Sequence, residues 1–255
     1  MSYFNTAIRC VNETKDIFLN GFSNKKNIIF KGDIDLVTSV DKEIEEKVIN
    51  IILSDHPNHD ILAEESVQKE KKSSYRWIID PLDGTTNFAH NVPHVALSIA
   101  LERDDKLILG VVYNPMSGEL FTAEKGKGAF LNEIRISVSN TPNLLNSLLA
   151  TGFPYDCHQY AKLYTDELKK IMEKSQGIRR FGVASLDLCF VACGRFDGFW
   201  ERKLSPWDVA ASLLIIDEAG GLTTTFGGKN YALYDDTIIA SNKLIHNEII
   251  STLTS

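Results

Sequence analysis

The chain has 255 residues, and its 34 acidic and 27 basic side chains give a formal net charge of −7. This acidic balance disfavours a bulk nucleic-acid binder, which would carry a basic patch, and general attraction to anionic membranes. No apolar run reaches the roughly 18 residues that cross a bilayer, and the N-terminus lacks the apolar region of a signal peptide. We therefore expect a cytoplasmic globular protein with one large domain or two modest ones.

The first half of the chain is predicted to contain two helices and then mainly strands. Apolar side chains at helical spacing predict a helix over 3–20, and a Thr-x-x-Asp start signal predicts a second helix from Thr38 to about Leu53, with a loop between them. Tight turns at 104–105 and 115–118 predict antiparallel hairpins. The predicted strands are 60–65, 75–80, 95–102, 106–114, 118–124 and 128–137.

From about residue 145 helices and strands alternate. The predicted elements are strand 147–153, helix 158–174, strand 177–181, helix 184–193, strand 197–201, helix 207–218, strands 222–226 and 236–241, and a C-terminal helix. An antiparallel half followed by an alternating half predicts a mixed α/β fold of two tightly packed subdomains, 1–142 and 143–255.

The cysteines and histidines do not indicate a disulfide framework or a zinc site. Four cysteines are too few to staple a chain of this length, and the six histidines show no HxH or HxxxH spacing. Cys189 and Cys193 lie four residues apart on one face of a predicted helix. A metal or redox pair is one interpretation of this spacing, and two small buried residues is the favoured one.

The segment WIIDPLDGTTNF (77–88) carries the strongest chemical signal. A buried strand leads into Asp80 and Asp83, which can share a hard divalent cation with the Leu82 carbonyl between them. The amides of Gly84 and Thr85 would then lie at a helix N-terminus, which favours anions. An Asp-Gly turn with a helix cap is the alternative, but it does not explain two aspartates, a proline and two threonines together.

Two further acidic segments complete a possible ligand set. In ILAEES (61–66) we favour Glu64 over Glu65 as a ligand, the alternative being a solvated residue at the rim of a sheet. Asp208 lies at a predicted helix start, where it could instead interact only with the helix dipole. With Asp80 and Asp83 these donors are all oxygens, which select Mg²⁺, Mn²⁺ or Ca²⁺ over zinc and fit a multi-metal phosphate hydrolase.

The motifs DPLDGTTNF (80–88), AEES (63–66), DLVTSVD (35–41) and WDVAAS (207–212) together resemble the inositol monophosphatase family of Mg²⁺-dependent, lithium-sensitive sugar phosphatases. The resemblance extends over nearly the whole chain, including 114–132, 148–156 and 184–201. It implies a layered α/β/α/β/α fold, a homodimer, and two or three Mg²⁺ ions per subunit.

The resemblance also implies a role for each ligand residue. Glu64, Asp80 and the Leu82 carbonyl would hold the first Mg²⁺ ion. Asp80, Asp83 and Asp208 would hold the second, and a weak third ion would lie near Glu64, which we include among the catalytic residues.

The same resemblance assigns the attacking water and the phosphate. Thr85, paired with Asp41, would orient and help deprotonate a metal-bound water. On the pattern alone, Asp41 is better interpreted as an acid at a helix start. The amides of Gly84 and Thr85 would bind the phosphate, and Thr86 would support the turn.

The substrate implied by the resemblance is a small phosphorylated polyol or sugar, with myo-inositol monophosphate as the leading hypothesis. Its hydroxyls would meet Asp83, the backbone at Ala184 and the side chain of Glu201. Without the resemblance, Glu201 would be an exposed strand residue. Three arginines could contact a second phosphate or a dimer partner, or could have only surface or structural roles: Arg179, Arg180 and Arg195.

The motifs leave several alternatives open. Fructose 1,6-bisphosphate, NADP and histidinol phosphate are substrates of relatives, and a bacterial relative associates with the transcription machinery. The loop before Asp41 is one residue shorter than in animal members, and Lys31 is a candidate for the lysine found there. Glu133 stands where a glycine is common, and a left-handed turn there would cost about 1 kcal/mol.

Overall fold

The computed structural model describes residues 1–23, 28–30, 36–66 and 72–255, with only the backbone described over 28–30 and 36–38. The helices in these ranges are α1 (Tyr3–Ser23), α2 (Ser39–Asp55), α3 (Thr85–Ala89), α4 (Ala161–Met172), α5 (Ala184–Ala192), α6 (Pro206–Glu218) and α7 (His246–Thr254). Within the same ranges, none of the helices combines the length and the hydropathy that a bilayer crossing requires.

The strands form a small hairpin and two large sheets. They are β1 (Ile28–Phe30), β2 (Leu36–Thr38), β3 (Asp60–Ala63), β4 (Tyr75–Asp83), β5 (Ala96–Arg103), β6 (Lys106–Asn114), β7 (Glu119–Glu124), β8 (Gly128–Leu131), β9 (Ile134–Arg135), β10 (Leu148–Thr151), β11 (Gly177–Arg179), β12 (Gly198–Arg202), β13 (Leu222–Thr224) and β14 (Thr237–Ser241). The seven-stranded sheet runs in order from β3 to β9, and only the β3–β4 pair in it is parallel. The five-stranded sheet has the order β11-β10-β12-β14-β13, with β10 parallel to both of its neighbours.

The helices and sheets stack in five layers. Side chains alternate between the two faces of a strand, so in β4 Trp77 packs towards α1 and α2 while Ile78 packs towards α5 and α6. Helices α5 and α6 also cover one face of the five-stranded sheet, and α4 and α7 cover the other. The resulting α/β/α/β/α order is the one that the family resemblance implies.

The central helices are apolar on all sides because both sheets cover them. All nine residues of α5 are buried, including Ser185 and Asp187. A helix without a polar face is stable only when it is covered all round, so α5 and α6 form the middle of the core. Their buried cluster joins Phe121 of β7 with Phe199 of β12, which come from different halves of the chain. The division into 1–142 and 143–255 remains a prediction.

Most predicted elements are present, but the predicted strand 75–80 extends to Asp83 and three other predictions need correction. The predicted loop between the first two helices contains the antiparallel pair β1–β2. The predicted helix 158–174 is a 3₁₀ helix over Tyr155–Tyr160 followed by α4, because Pro154 and the polar 155–160 segment provide no amphipathic stripe. The predicted strand 128–137 is divided into β8 and β9. The turn between them places Glu133 at φ 67°, the left-handed conformation that we expected there.

Candidate active site

The acids of the candidate site lie where β3 and β4 end. Because these strands are parallel, their carboxyl ends lie at the same edge of the sheet. The amide of Glu64, just after β3, donates to the Ile79 carbonyl at 3.3 Å, next to Asp80 in the chain. Burial and the nearby Glu64 side chain raise the pKa of Asp80 well above its usual value. The structure therefore brings Glu64 and Asp80 together at this edge.

Strand β4 continues further than predicted, through Asp83. Pro81 has no N–H to donate to the ladder, and the register with β5 shifts between Asp80 and Asp83. The Leu82 amide donates to Asp80 Oδ1 at 3.0 Å within this irregular stretch. The shift interrupts the regular alternation of strand faces between the two aspartates, and the Asp83 carboxylate is close enough to raise the pKa of Asp80.

Gly84 then turns the chain into the short helix α3. Its φ of 93° lies in the left-handed region, and a Cβ atom there would come within 2.7 Å of Val183 Cγ2. Only glycine satisfies both conditions without strain. The amides that follow lie at the first turn of α3, where Thr85 is buried and Thr86 is exposed.

Thr85 connects this turn to α2. Its Oγ1 lies 3.0 Å from Asp41 Oδ1 and 3.1 Å from the Leu82 carbonyl oxygen, so its single proton can be donated to either acceptor. Asp41 is fully buried in the first turn of α2. The two interpretations of Asp41 are therefore compatible, because the residue is an acid at a helix start and also the partner of Thr85.

Asp208 likewise combines a cap with a position among the acids. Its Oδ2 accepts the Ser205 amide at 2.7 Å in a capping box at the start of α6. Burial, followed by the Asp83 carboxylate, raises the pKa of Asp208 well above its usual value. The second half of the chain thus contributes a carboxylate to the edge formed by β3 and β4.

Asp83 is held by the start of α5. Its Oδ2 accepts hydrogen bonds from the Ser185 amide at 2.8 Å and from the Ser185 hydroxyl at 2.6 Å. Burial raises the pKa of Asp83 to about 6, and the Ser185 hydrogen bonds oppose that rise. Ala184, which the sequence predicts to be a substrate contact, is buried at the first position of α5. The role of the adjacent Ser185 was not predicted, although a hydroxyl residue at a predicted helix start could have indicated it.

These acids fit a hard divalent cation by their chemistry. The pKa of Asp80 is raised by burial and by the carboxylates of Glu64, Asp83 and Asp208, so the four groups repel one another. Over the described residues, no three Asp, Glu, His or Cys side chains are already arranged to hold a metal ion. An oxygen-only set with unbalanced negative charge binds Mg²⁺ or Ca²⁺ in preference to softer metals, and such an ion would draw the carboxylates closer.

A second group of buried charges lies beside the first. Glu201 is 7% exposed on β12, on the strand face that carries Phe199 and packs towards α5. Burial and then the Asp187 carboxylate raise the pKa of Glu201 well above its usual value, and Arg180 opposes that rise. The alternative of an exposed strand residue is therefore wrong for Glu201. Asp187 was not among the predicted site residues.

Two further residues missed from the sequence support the site. Glu45 lies one helical turn after Asp41, and its Oε2 accepts the Glu65 amide at 2.8 Å, which fixes the segment after Glu64. Asn87 donates from Nδ2 to the carbonyls of His94 and Phe181, each at 2.9 Å. Glu45 could have been found from its i+4 spacing to Asp41, whereas the partners of Asn87 depend on the fold.

The other candidates lie at the periphery. Glu65 is half-buried, and its backbone amide, not its side chain, makes the hydrogen bond to the Glu45 carboxylate. Arg195 pairs with Glu119 and lies over the Phe190 ring, which indicates a structural role. Arg179 is exposed and bonds to the adjacent Ile178 carbonyl. Lys31 lies outside the described residues.

A cavity of about 840 Å³ lies elsewhere, between β6, the end of α6 and residues 230–234. Its walls include Leu107, Leu213 and Tyr231 but none of the acids described above. The acid groups are therefore identified by their chemistry and not by the volume of a pocket.

Known proteins resemble the chain over its whole length. The model of the inositol monophosphatase family matches residues 2–255. An inositol-1-monophosphatase of Rhizobium meliloti (strain 1021) is 41% identical over 244 residues, which are 94% of this chain and 92% of that protein. The Nus factor SuhB of Escherichia coli (strain K12) is 40% identical over 253 residues, which are 98% of this chain and 94% of that protein. The crystal structure of the extragenic suppressor protein suhB from Bartonella henselae has a TM-score of 0.95 at 39% identity, covering 100% of this chain and 99% of that one.

Proposed function

Since the chain belongs to the inositol monophosphatase family and is a phosphatase, we propose that it is a Mg²⁺-dependent phosphomonoesterase that hydrolyses myo-inositol monophosphate to inositol and phosphate. The observation that carries this proposal is the buried pair of Thr85 and Asp41 directly beside the acids of β4. A hydroxyl with a buried carboxylate partner, next to a cluster of oxygen ligands, suits proton transfer from an attacking water.

Two or three Mg²⁺ ions would be held by the oxygen donors at this edge. Bound cations would supply Lewis-acid stabilisation of the phosphoryl and leaving oxygens and would lower the pKa of a bound water. The residues that would hold them are Glu64, Asp80, the Leu82 carbonyl, Asp83 and Asp208. The Leu82 carbonyl already accepts from Thr85, and a carbonyl oxygen has a second lone pair for a further partner.

The proton steps follow from the hydrogen bonds of Thr85. Its Oγ1 can accept a proton from water while it passes its own proton to Asp41 Oδ1, 3.0 Å away. We assign the catalytic roles to Thr85 and Asp41, with Glu64 as a further acceptor near the same edge. The burial of Asp41 keeps its carboxylate away from bulk water, which strengthens this coupling.

The substrate would lie between the two acid groups. We assign the phosphate to the amides of Gly84 and Thr85 at the first turn of α3, with Thr86 supporting the turn. The hydroxyls of the alcohol would meet Asp83, the Ala184 backbone and Glu201, which faces α5 from the five-stranded sheet.

A phosphate-release screen tests the assignment. The purified enzyme is assayed with myo-inositol 1-phosphate, fructose 1,6-bisphosphate, NADP and histidinol phosphate, each with Mg²⁺ and with EDTA. We expect the highest kcat/KM for the inositol ester and loss of release in EDTA. A higher kcat/KM for one of the other three esters would replace inositol phosphate as the substrate, and release that EDTA leaves unchanged would contradict the metal requirement.

A role in a transcription complex is the second candidate, and its support is the similarity to the Nus factor SuhB of Escherichia coli. Co-purification of RNA polymerase with the tagged chain would favour this role, and it should persist in a Thr85→Val variant if it is independent of catalysis. The homodimer and the cytoplasmic location remain predictions from the sequence.

A further inference from the structure

Asp187 is a buried carboxylate that neither the fold nor the proposed reaction explains. It lies in the first turn of α5 and is 1% exposed. Among the residues that the structure describes, neither Oδ1 nor Oδ2 has a hydrogen-bond partner. Burying an acid without partners is costly, so we expect a residue of this kind at a core position to be satisfied by a group outside the described part of the chain.

The neighbours of Asp187 place it at the substrate side of the site. It lies three residues after Ala184 and therefore on the same side of the helix. The charged groups that act on it are the Asp83 carboxylate, which raises its pKa together with burial, and Arg180, which lowers it. Glu201 lies on β12 with its side chain on the face that packs towards α5. Burial and the carboxylates of Asp187 and Asp83 raise the pKa of Glu201, and Arg180 lowers it. Asp187 and Glu201 thus lie close to each other, and both interact with Asp83 and Arg180.

The backbone beside these acids leaves room for the Glu201 carboxylate. A Cβ atom at Gly152, at the end of β10, would collide with both carboxylate oxygens of Glu201. On the other side, Arg180 is exposed and extends over the Phe153 ring, 5.7 Å from its centroid. Arg180 thus lies at the exposed side of this pair of acids, and both acids are buried.

We propose that Asp187 is a specificity-determining residue which, together with Glu201, accepts hydrogen bonds from hydroxyl groups of the alcohol part of a polyhydroxylated phosphate ester. The two neighbouring acids offer four oxygen acceptors, with the Arg180 guanidinium beside them. A polyol carries donors on adjacent carbons and matches such a pair of acids, whereas an apolar alcohol would leave Asp187 without a partner. The inference rests on the proposed phosphatase function and adds Asp187 to the residues that bind the alcohol.

The test compares two esters that differ only in their hydroxyls. Myo-inositol 1-phosphate and cyclohexyl phosphate share a six-membered ring, but the second has no hydroxyl groups. Asp187→Leu removes both acceptors at similar volume, Asp187→Asn keeps one, and Asp217→Asn removes an exposed carboxylate from the far end of α6 as a control. Steady-state kinetics and melting temperatures are measured for each variant.

We expect Asp187→Leu to lower kcat/KM for the inositol ester by about 10-fold or more, mainly through KM, since a contact made equally in ground and transition states changes KM alone. Asp187→Asn should lower kcat/KM for the inositol ester by a smaller factor, because it keeps one acceptor. The kcat/KM for cyclohexyl phosphate should stay within about twofold of wild type in both variants and in the Asp217→Asn control.

Each other outcome contradicts a specific part of this inference. Equal losses for both esters would make Asp187 a structural residue. A changed Mg²⁺ concentration for half-maximal activity would place it among the metal ligands. An unchanged preference for the inositol ester would show that Asp187 does not bind it. If wild type hydrolyses neither ester, the proposed function has failed and the inference fails with it, whereas activity of wild type on the inositol ester confines any failure to Asp187.

Discussion

Because the pKa of Asp83 is raised in the folded protein, we expect Asp83→Asn to stabilise the metal-free protein and at the same time to inactivate the enzyme. In the folded protein burial raises the pKa of Asp83 from 3.8 to about 6. A pKa difference of that size corresponds to about 3 kcal/mol of unfolding free energy. Because the folded protein binds this proton more tightly, the unfolded chain loses it first as pH rises, so stability falls between about pH 4 and pH 6 and stays low above that range.

The side chain of Asn in the variant Asp83→Asn does not titrate between pH 4 and pH 6, so this loss of stability is absent. Its amide oxygen can still accept from the Ser185 amide and hydroxyl, which lie 2.8 Å and 2.6 Å from Asp83 Oδ2. At pH 7.5 in EDTA we expect its unfolding free energy to exceed that of wild type by about 1–3 kcal/mol. Its kcat/KM with Mg²⁺ should fall by about 100-fold or more, because the variant lacks a proposed ligand of the cation that would stabilise transition-state charge.

Urea unfolding in EDTA and in saturating Mg²⁺ checks both parts. Wild type should gain about 3 kcal/mol from Mg²⁺ at a concentration near 100 times its dissociation constant, and Asp83→Asn should gain much less. The control Asp217→Asn, at an exposed position on α6, should behave as wild type in both buffers. The reasoning is refuted if metal-free Asp83→Asn is less stable than wild type at pH 7.5, or if it retains near-normal turnover.

Three further substitutions test other parts of the molecule. Thr85→Val should lower kcat by about 100-fold or more with little change in KM, since it removes the hydroxyl that donates to Asp41. An unchanged kcat would exclude Thr85 from proton transfer. Glu45→Ala removes the carboxylate that accepts the Glu65 amide, so the free energy of unfolding in urea should fall by about 1–3 kcal/mol. A change below about 0.5 kcal/mol, which is near the error of such measurements, would show that this hydrogen bond does not stabilise the protein. Burial lowers the pKa of His246 from 6.5 to about 4, so its contribution to stability is present above pH 6.5 and is lost towards pH 4. His246→Gln should flatten the unfolding free energy over that range by about 2–3 kcal/mol relative to wild type, and parallel pH curves would refute this.

The main acids of the site could be predicted because their signals are local. Asp80 and Asp83 follow an apolar strand, and Asp208 precedes an apolar helix, so their positions depend only on where an element starts or ends. The two interpretations offered for Asp208 were not exclusive, because the capping box and the acid cluster use the same side chain. Local patterns thus identified the residues but could not separate their roles.

The rest of the site depends on how the layers pack. Glu201 alternates with Trp200 along β12, and both faces of this strand are covered, so alternation could not show that the acid points into the core. Asp187 is the charged residue in the mainly apolar sequence of α5, and this feature could have marked it as a candidate. Its meaning required the knowledge that α5 lies between two sheets and starts beside Asp83.

Helix starts explain how so many acids can lie close together before any cation binds. Asp41 is in the first turn of α2, Ser185 holds Asp83 at the start of α5, and Asp208 is in the first turn of α6. Each helix N-terminus carries roughly half a positive charge and unpaired amides, which stabilise nearby carboxylates. Three partial charges of this size cannot balance the carboxylates of Asp41, Asp83 and Asp208 together with Glu64 and Asp80. The acidic surplus of the sequence is therefore concentrated where the fold compensates it only in part, and the remaining imbalance favours the binding of a divalent cation.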